Sequence, residues 1–142
     1  MYYARAVDST MLVALSVLAS KQAIPKQKTM EKVMTFLDYA ASQEKAVIAY
    51  HASDMVLACH RDASYLSEPG ARSRAGGHFF MSSNAAMPAN NGAVLNISLI
   101  IKTVMTSAGE SEIGAMYINA REAVPQIMTL SEMGHLQPRT PM

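Results

Sequence analysis

Two acidic residues stand where they could do chemistry. Asp62 falls at the end of an apolar run, Met55 to Tyr65 (MVLACHRDASY), and Glu112 lies near the start of Ser107 to Ala120 (SAGESEIGAMYINA). The first segment has the length and composition of a strand, and the second has the 3.6-residue period of a helix. A strand-end carboxylate and a helix-start carboxylate are parts from which a two-cation centre is built. Hard ions such as Mg²⁺ take carboxylate oxygens, and a pair of them orients an attacking water and stabilises a leaving oxygen. Such a centre needs several carboxylates converging. Taken singly, Asp62 also fits a solvated turn acid, and Glu112 a first-turn acid that complements the helix dipole.

Other reactive side chains group less well. His60 shares a strand face with Asp62 at i, i+2, while Cys59 and Arg61 alternate onto the opposite face. A lone strand histidine is more often structural, and His51, His78 and His135 have no metal-ligand spacing. Glu110 closes a capping box with Ser107, which gives it a structural role. Arg72 and Arg74 are candidates for phosphate contact, against the plainer reading of a solvated loop. Gly76-Gly77 lacks the spacing and following helix of a nucleotide-binding loop, and reads instead as a bulge or a close backbone approach.

The elements that would position these groups follow from periodicity. Thr10 is placed to cap a helix over Met11 to Gln22, ended by Pro25. Thr29 is placed to cap a second helix with an apolar stripe of Met30, Val33, Met34, Leu37 and Ala41. Ala46 to His51 and Met55 to Asp62 read as strands joined at Ser53-Asp54. Glu68-Pro69-Gly70 is a turn signal. Arg74 to Ser82 is a further strand, Asn84 to Gly92 a loop, and Leu95, Ile97, Leu99 and Ile101 share one face of the next strand. The closing helix runs from about Ala108 to Val124 with Ile113, Met116, Tyr117, Ala120 and Val124 as its expected buried stripe. Pro125 breaks it or opens a last helix ending at Gly134, and Gln137 to Met142 reads as a frayed tail.

Composition sets bounds. At 142 residues, half of them hydrophobic, the chain has enough apolar material for a core, and the net charge of +1 makes no strong case for a polyanion partner. Cys59 is the single cysteine, so no internal disulfide forms and a reducing, intracellular compartment is the simpler expectation. No stretch approaches the roughly 20 apolar residues of a membrane span. The 12 methionines read as flexible core filling.

The order strand with Asp, strand, strand, helix with Glu resembles the opening of the ribonuclease H fold. HRDASYLSEPGARSRAGGHFF resembles the copia-type retrotransposon pattern of an acidic strand end followed by an Arg-Ser-rich stretch and glycine. SAGESEIGAMYINAREA resembles that family's Ser-Ser-x-Glu-Ala-Glu segment, and YYARAVDSTMLVALSVLAS with TMEKVMTFLDYA resembles the piece joining reverse transcriptase to ribonuclease H in the same polyproteins. The resemblance implies an α+β chain. Helical residues and a first short strand would occupy 1–50. An incomplete ribonuclease H-like domain of three to four mostly antiparallel strands and a packing helix would occupy 51–136, with a flexible tail over 137–142. It implies Asp62 and Glu112 as catalytic, Mg²⁺-binding residues, Arg72 and Arg74 as nucleic-acid contacts, and RNA–DNA hybrid, with the rest of the polyprotein, as partners. Arg61 stands where the family has a small or polar residue. The family's later metal carboxylates have no counterpart before Met142, so an inactive fragment is expected. The alternative is a non-enzymatic α+β interaction module that pairs through an exposed strand edge.

Overall fold

A computed structural model describes residues 2–138 and divides the chain into two compact units, Met1–Ile48 and Ala49–Met142. The fold class is α+β, with a three-stranded antiparallel sheet in the second unit. Among the described residues no helix is long and apolar enough to cross a membrane.

The first unit contains α1 (Tyr2–Ala6), a single 3-10 turn (Ser9–Met11), α2 (Leu12–Ala19) and α3 (Gln27–Ser42). Asp8, rather than Thr10, is the capping residue here. Its carboxylate accepts the Thr10 N–H at 3.0 Å and the Thr10 hydroxyl at 2.5 Å, so the chain begins to turn earlier than the apolar pattern implies. Thr10 also shares a hydrogen bond of 2.8 Å with the Tyr39 hydroxyl, which ties α3 to this turn. Thr29 does not cap α3 but sits one turn inside it and accepts the Lys26 N–H at 3.2 Å. Ala4, Met11 and Leu12 form the small core, with Leu15, Phe36 and Ala40 packed against it. Phe36 and Ala40 therefore set the inward side of α3. The expected stripe is rotated away, and Met30, Met34 and Leu37 are exposed.

In the second unit β1 (Val56–Glu68), β2 (Arg72–Ser82) and β3 (Ala93–Ile100) form a meander in the order β1-β2-β3, followed by α4 (Ala108–Glu132). The Glu68-Pro69-Gly70 signal does mark the β1–β2 connection. There Gly70 at φ 76° and Ala71 at φ 56° turn the chain, and a register shift between Ser64 and Glu68 absorbs the twist. The expected strand at Ala46 to His51 does not form. The Asn91 side chain satisfies both backbone groups of His51, accepting its N–H at 2.8 Å and donating to its carbonyl at 3.0 Å. The Tyr50 hydroxyl donates to the Ala93 carbonyl at 2.9 Å. An amide side chain here replaces a ladder, so the segment is an extended connector.

Helix α4 runs unbroken through Pro125. The ring lies on an exposed face, where it displaces no packed neighbour, and the helix loses one N–H donor. Its inward face is not the expected one. Ser111, Ala115, Asn119, Ala123 and Leu130 are buried, whereas Ile113, Met116, Tyr117 and Val124 are exposed. The reason lies in the sheet. A Cβ on Gly77 would overlap Asn119 Oδ1 and approach Ile97 Cγ1 to 2.8 Å, so the helix sits too close for large side chains. Small residues line the contact, with Ala75 facing Ala115 and Ser73 sharing a hydrogen bond of 2.9 Å with Ser111. A second core of Leu57, Cys59, Phe79, Ile97, Ala123 and Leu130 fills the other end of the same face. Gly77→Ala is expected to lower stability by about 1–3 kcal/mol through overpacking. Gly76→Ala, whose Cβ would come no nearer than 3.7 Å to any atom, should be close to neutral. Urea denaturation midpoints of the two variants measure the difference.

Candidate functional site

Strand alternation gives the sheet two chemically distinct faces. From β1, Leu57, Cys59, Arg61 and Ala63 face α4: Leu57 and Cys59 belong to the core with Ala123, Arg61 bonds Glu112, and Ala63 packs beside Ala115. His60 and Asp62 therefore lie on the other face. There His60 meets His78 in a stacked pair with ring centroids 6.4 Å apart, and both rings approach Phe80. Asp62 is exposed and pairs across the ladder with Gly76.

The sheet thus separates the two expected catalytic acids. Glu112 reaches β1 from the helix side, where it accepts the Arg61 guanidinium at 2.8 Å, with the two side chains 25% and 43% exposed. Asp62 points from the opposite side of the same strand. The expectation that they adjoin one metal site is not met, because β1 turns successive residues to opposite faces and Arg61, not Asp62, is on Glu112's side. The residues present do not form a site for a metal pair, and no group of three or more His, Cys, Asp or Glu able to hold one occurs among the described residues.

The two candidate phosphate contacts also separate. Arg74 is buried, bonded to Glu68 at 2.5 Å and to the Ser98 hydroxyl at 2.8 Å. Its charge is committed inside the protein, which corrects its reading as a nucleic-acid contact. Arg72 is exposed at the start of β2. Ser107 caps α4, accepting the Glu110 N–H on Oγ at 3.1 Å, but the return bond of the expected capping box is displaced by one residue, since the Glu110 carboxylate accepts the Thr106 N–H at 2.7 Å instead of that of Ser107. The bond from the Thr106 backbone holds the Glu110 carboxyl below the usual carboxylate range.

Three residues have structural roles that the sequence did not reveal. His78 is held by Asn96 at 2.8 Å and by Asn90 at 3.0 Å. Both ring nitrogens are engaged, so the imidazole is a clasp between β2, β3 and the 84–92 loop. Asn119 is fully buried. Its amide donates to the Gly76 carbonyl at 3.0 Å and the Ala115 carbonyl at 2.8 Å, and its oxygen accepts the Cys59 thiol at 3.6 Å. Desolvation pushes the Cys59 thiol up to about 11, so it stays protonated and serves as a donor rather than a nucleophile. The third is Gln137. Its side chain accepts the Leu57 N–H and donates to the Met55 carbonyl, each at 2.9 Å, so the start of the expected tail is fastened to β1, while residues 139–142 lie outside the described ones. A double glycine opposite a polar residue on an alanine-rich helix was the available signal for Asn119. Nothing local marks Gln137.

Compared with known protein families, curated proteins and solved structures, the chain matches none.

The Arg74–Glu68 pair, with side chains 8% and 10% exposed, is the ion pair whose loss matters most. Glu68→Ala leaves a buried guanidinium without its carboxylate and is expected to cost about 3–5 kcal/mol. Arg61→Ala, at a half-exposed pair, should cost at most about 1 kcal/mol. Thermal melts of the two variants would test this ordering.

Proposed function

We propose that the chain is a ribonuclease H-like scaffold of retroelement-polyprotein type that does not itself assemble a hydrolytic metal centre. The strand–strand–strand–helix order, with the helix returning over β1 and β2, supports the scaffold half of this reading. The Arg61–Glu112 ion pair carries the other half. To ligate Mg²⁺, Glu112 would first have to give up its guanidinium, and Asp62 would still approach from the far face of β1. A single carboxylate is a weak Mg²⁺ site. In the family that the sequence resembles, the intact domain cleaves RNA in RNA–DNA hybrids with Mg²⁺; in this chain, hybrid is at most something bound.

Purified protein, incubated with labelled hybrid and Mg²⁺ beside Asp62→Asn, is expected to give identical backgrounds. Robust cleavage that disappears in Asp62→Asn would overturn the proposal.

One observation favours a second reading, that of an interaction module. β1 is 13 residues long and has β2 as its only strand neighbour among the described residues. Gln137 bonds outward-facing groups at Met55 and Leu57. By alternation the backbone groups of Cys59, Arg61 and Ala63 face the same open edge. An added strand would find a row of unpaired donors and acceptors there. Ala63→Pro removes an outward N–H without touching the β1–β2 ladder. On this reading, sedimentation velocity should find concentration-dependent dimers in the parent chain and fewer in Ala63→Pro. A parent that stays monomeric at every concentration rules the module out as a self-pairing one.

A further inference from the structure

The helical unit holds a concave site whose charges are all of one sign. A hollow of about 390 Å³ is lined by Lys21, Ile24, Lys26, Lys28, Thr29 and Lys32. Four of its six lining residues are lysines and none is acidic. Among the described residues the ion pairs involve only arginines, so none of these four ammonium groups lies within ion-pair distance of a carboxylate, and Glu31, the nearest acid along α3, does not line the hollow. The hollow opens at the start of α3, whose first turn carries no acid, and the helix dipole adds positive potential at that end. Like charges around a low-dielectric concavity focus the field outward and repel one another until an anion arrives.

We propose that this hollow binds consecutive phosphodiester groups of a nucleic-acid strand. Lysine ammonium groups act as point charges for phosphate oxygens. Lys28 and Lys32 stand at i and i+4 on α3, so their Cβ atoms are about 5–6 Å apart along one face. A linear polyanion can follow that spacing with successive phosphates, whereas one free phosphate cannot reach along the whole row. The site is concave, which suits a strand laid into it better than a flat bilayer. Ile24, 79% exposed at the rim, offers an apolar surface to a sugar or base beside the phosphates. The net charge of the whole chain hides this site because acids elsewhere offset it. The inference concerns residues of the helical unit alone and stands whether or not the sheet unit is ribonuclease H-like.

The test uses the full chain and fluorescence anisotropy of a labelled RNA–DNA hybrid across a salt series. The parent should bind with a steep salt dependence. Lys26→Gln/Lys28→Gln/Lys32→Gln should flatten the slope of log affinity against log salt by about 0.9 for each phosphate that is no longer neutralised. Lys28→Gln alone should flatten it by one such step, and the triple Lys→Arg variant should keep the parental slope. Lys45→Gln, exposed and outside the hollow, should leave it unchanged. Circular dichroism checks that helicity is retained, and the single variant carries the test if the triple one loses it. Equal slopes for the parent and both Lys→Gln variants would overturn the proposal. So would absence of hybrid binding by the parent, loss of hybrid to equimolar inorganic phosphate, or lysine-dependent binding of phosphatidylserine vesicles in preference to hybrid. Because the readout is binding and not hydrolysis, its failure is separate from any finding on cleavage.

Discussion

The sheet unit is organised around one buried amide. Asn119 enters the notch that Gly77 leaves in β2 and is enclosed completely. A buried amide is costly unless its donors and acceptor are all engaged. Here the Gly76 carbonyl, the Ala115 carbonyl and the Cys59 thiol engage them. That requirement sets both the depth and the rotation of α4. Once Asn119 is seated, Ser111 must meet Ser73, Ala115 must meet Ala75, and Glu112 arrives beside Arg61. The polarity of the lock gives it a specificity that an apolar contact of the same size would lack, since sliding or turning the helix would strand hydrogen-bonding groups without water.

The same lock explains what was legible in the sequence and what was not. Strand periodicity and the Glu68-Pro69-Gly70 turn marked the meander, and the Ser107 cap marked where α4 begins. Alternation correctly separated Cys59 and Arg61 from Asp62. The inward face of α4 was misread because hydrophobicity ranked Ile113, Met116 and Tyr117 above Ser111, Ala115 and Asn119, whereas close approach to a double glycine selects for smallness and hydrogen bonding. α3 departed in a similar way, since Phe36 and Ala40 complement the small core of the first unit better than the longer methionine stripe does. The pairing of Asp62 with Glu112 was legible only as proximity along an ordered motif. Which side of a strand a helix covers is a property of packing, and it sends the two acids to different faces.

Charge is handled differently in the two units. In the sheet unit guanidinium groups are turned inward onto carboxylates, Arg74 onto Glu68 and Arg61 onto Glu112, and their fields are spent locally. In the helical unit lysines gather around one hollow with no carboxylate among its lining residues. A net charge of +1 averages these two situations and describes neither. Arg74, read from the sequence as available for contact, is a committed cation, whereas four lysines gather around the hollow.

Gln137 gives the exposed margin of β1 a property of its own. Its side chain stands in for a peptide group, accepting at Leu57 and donating at Met55 as a neighbouring strand would. The first rung of that margin is therefore already filled, by a surrogate that cannot extend the ladder. A newcomer of any origin would have to begin beyond it, at Cys59, and would be held in phase with Arg61 and Ala63. The residue acts as a doorstop, filling the end of the margin with a group that cannot itself carry a ladder further.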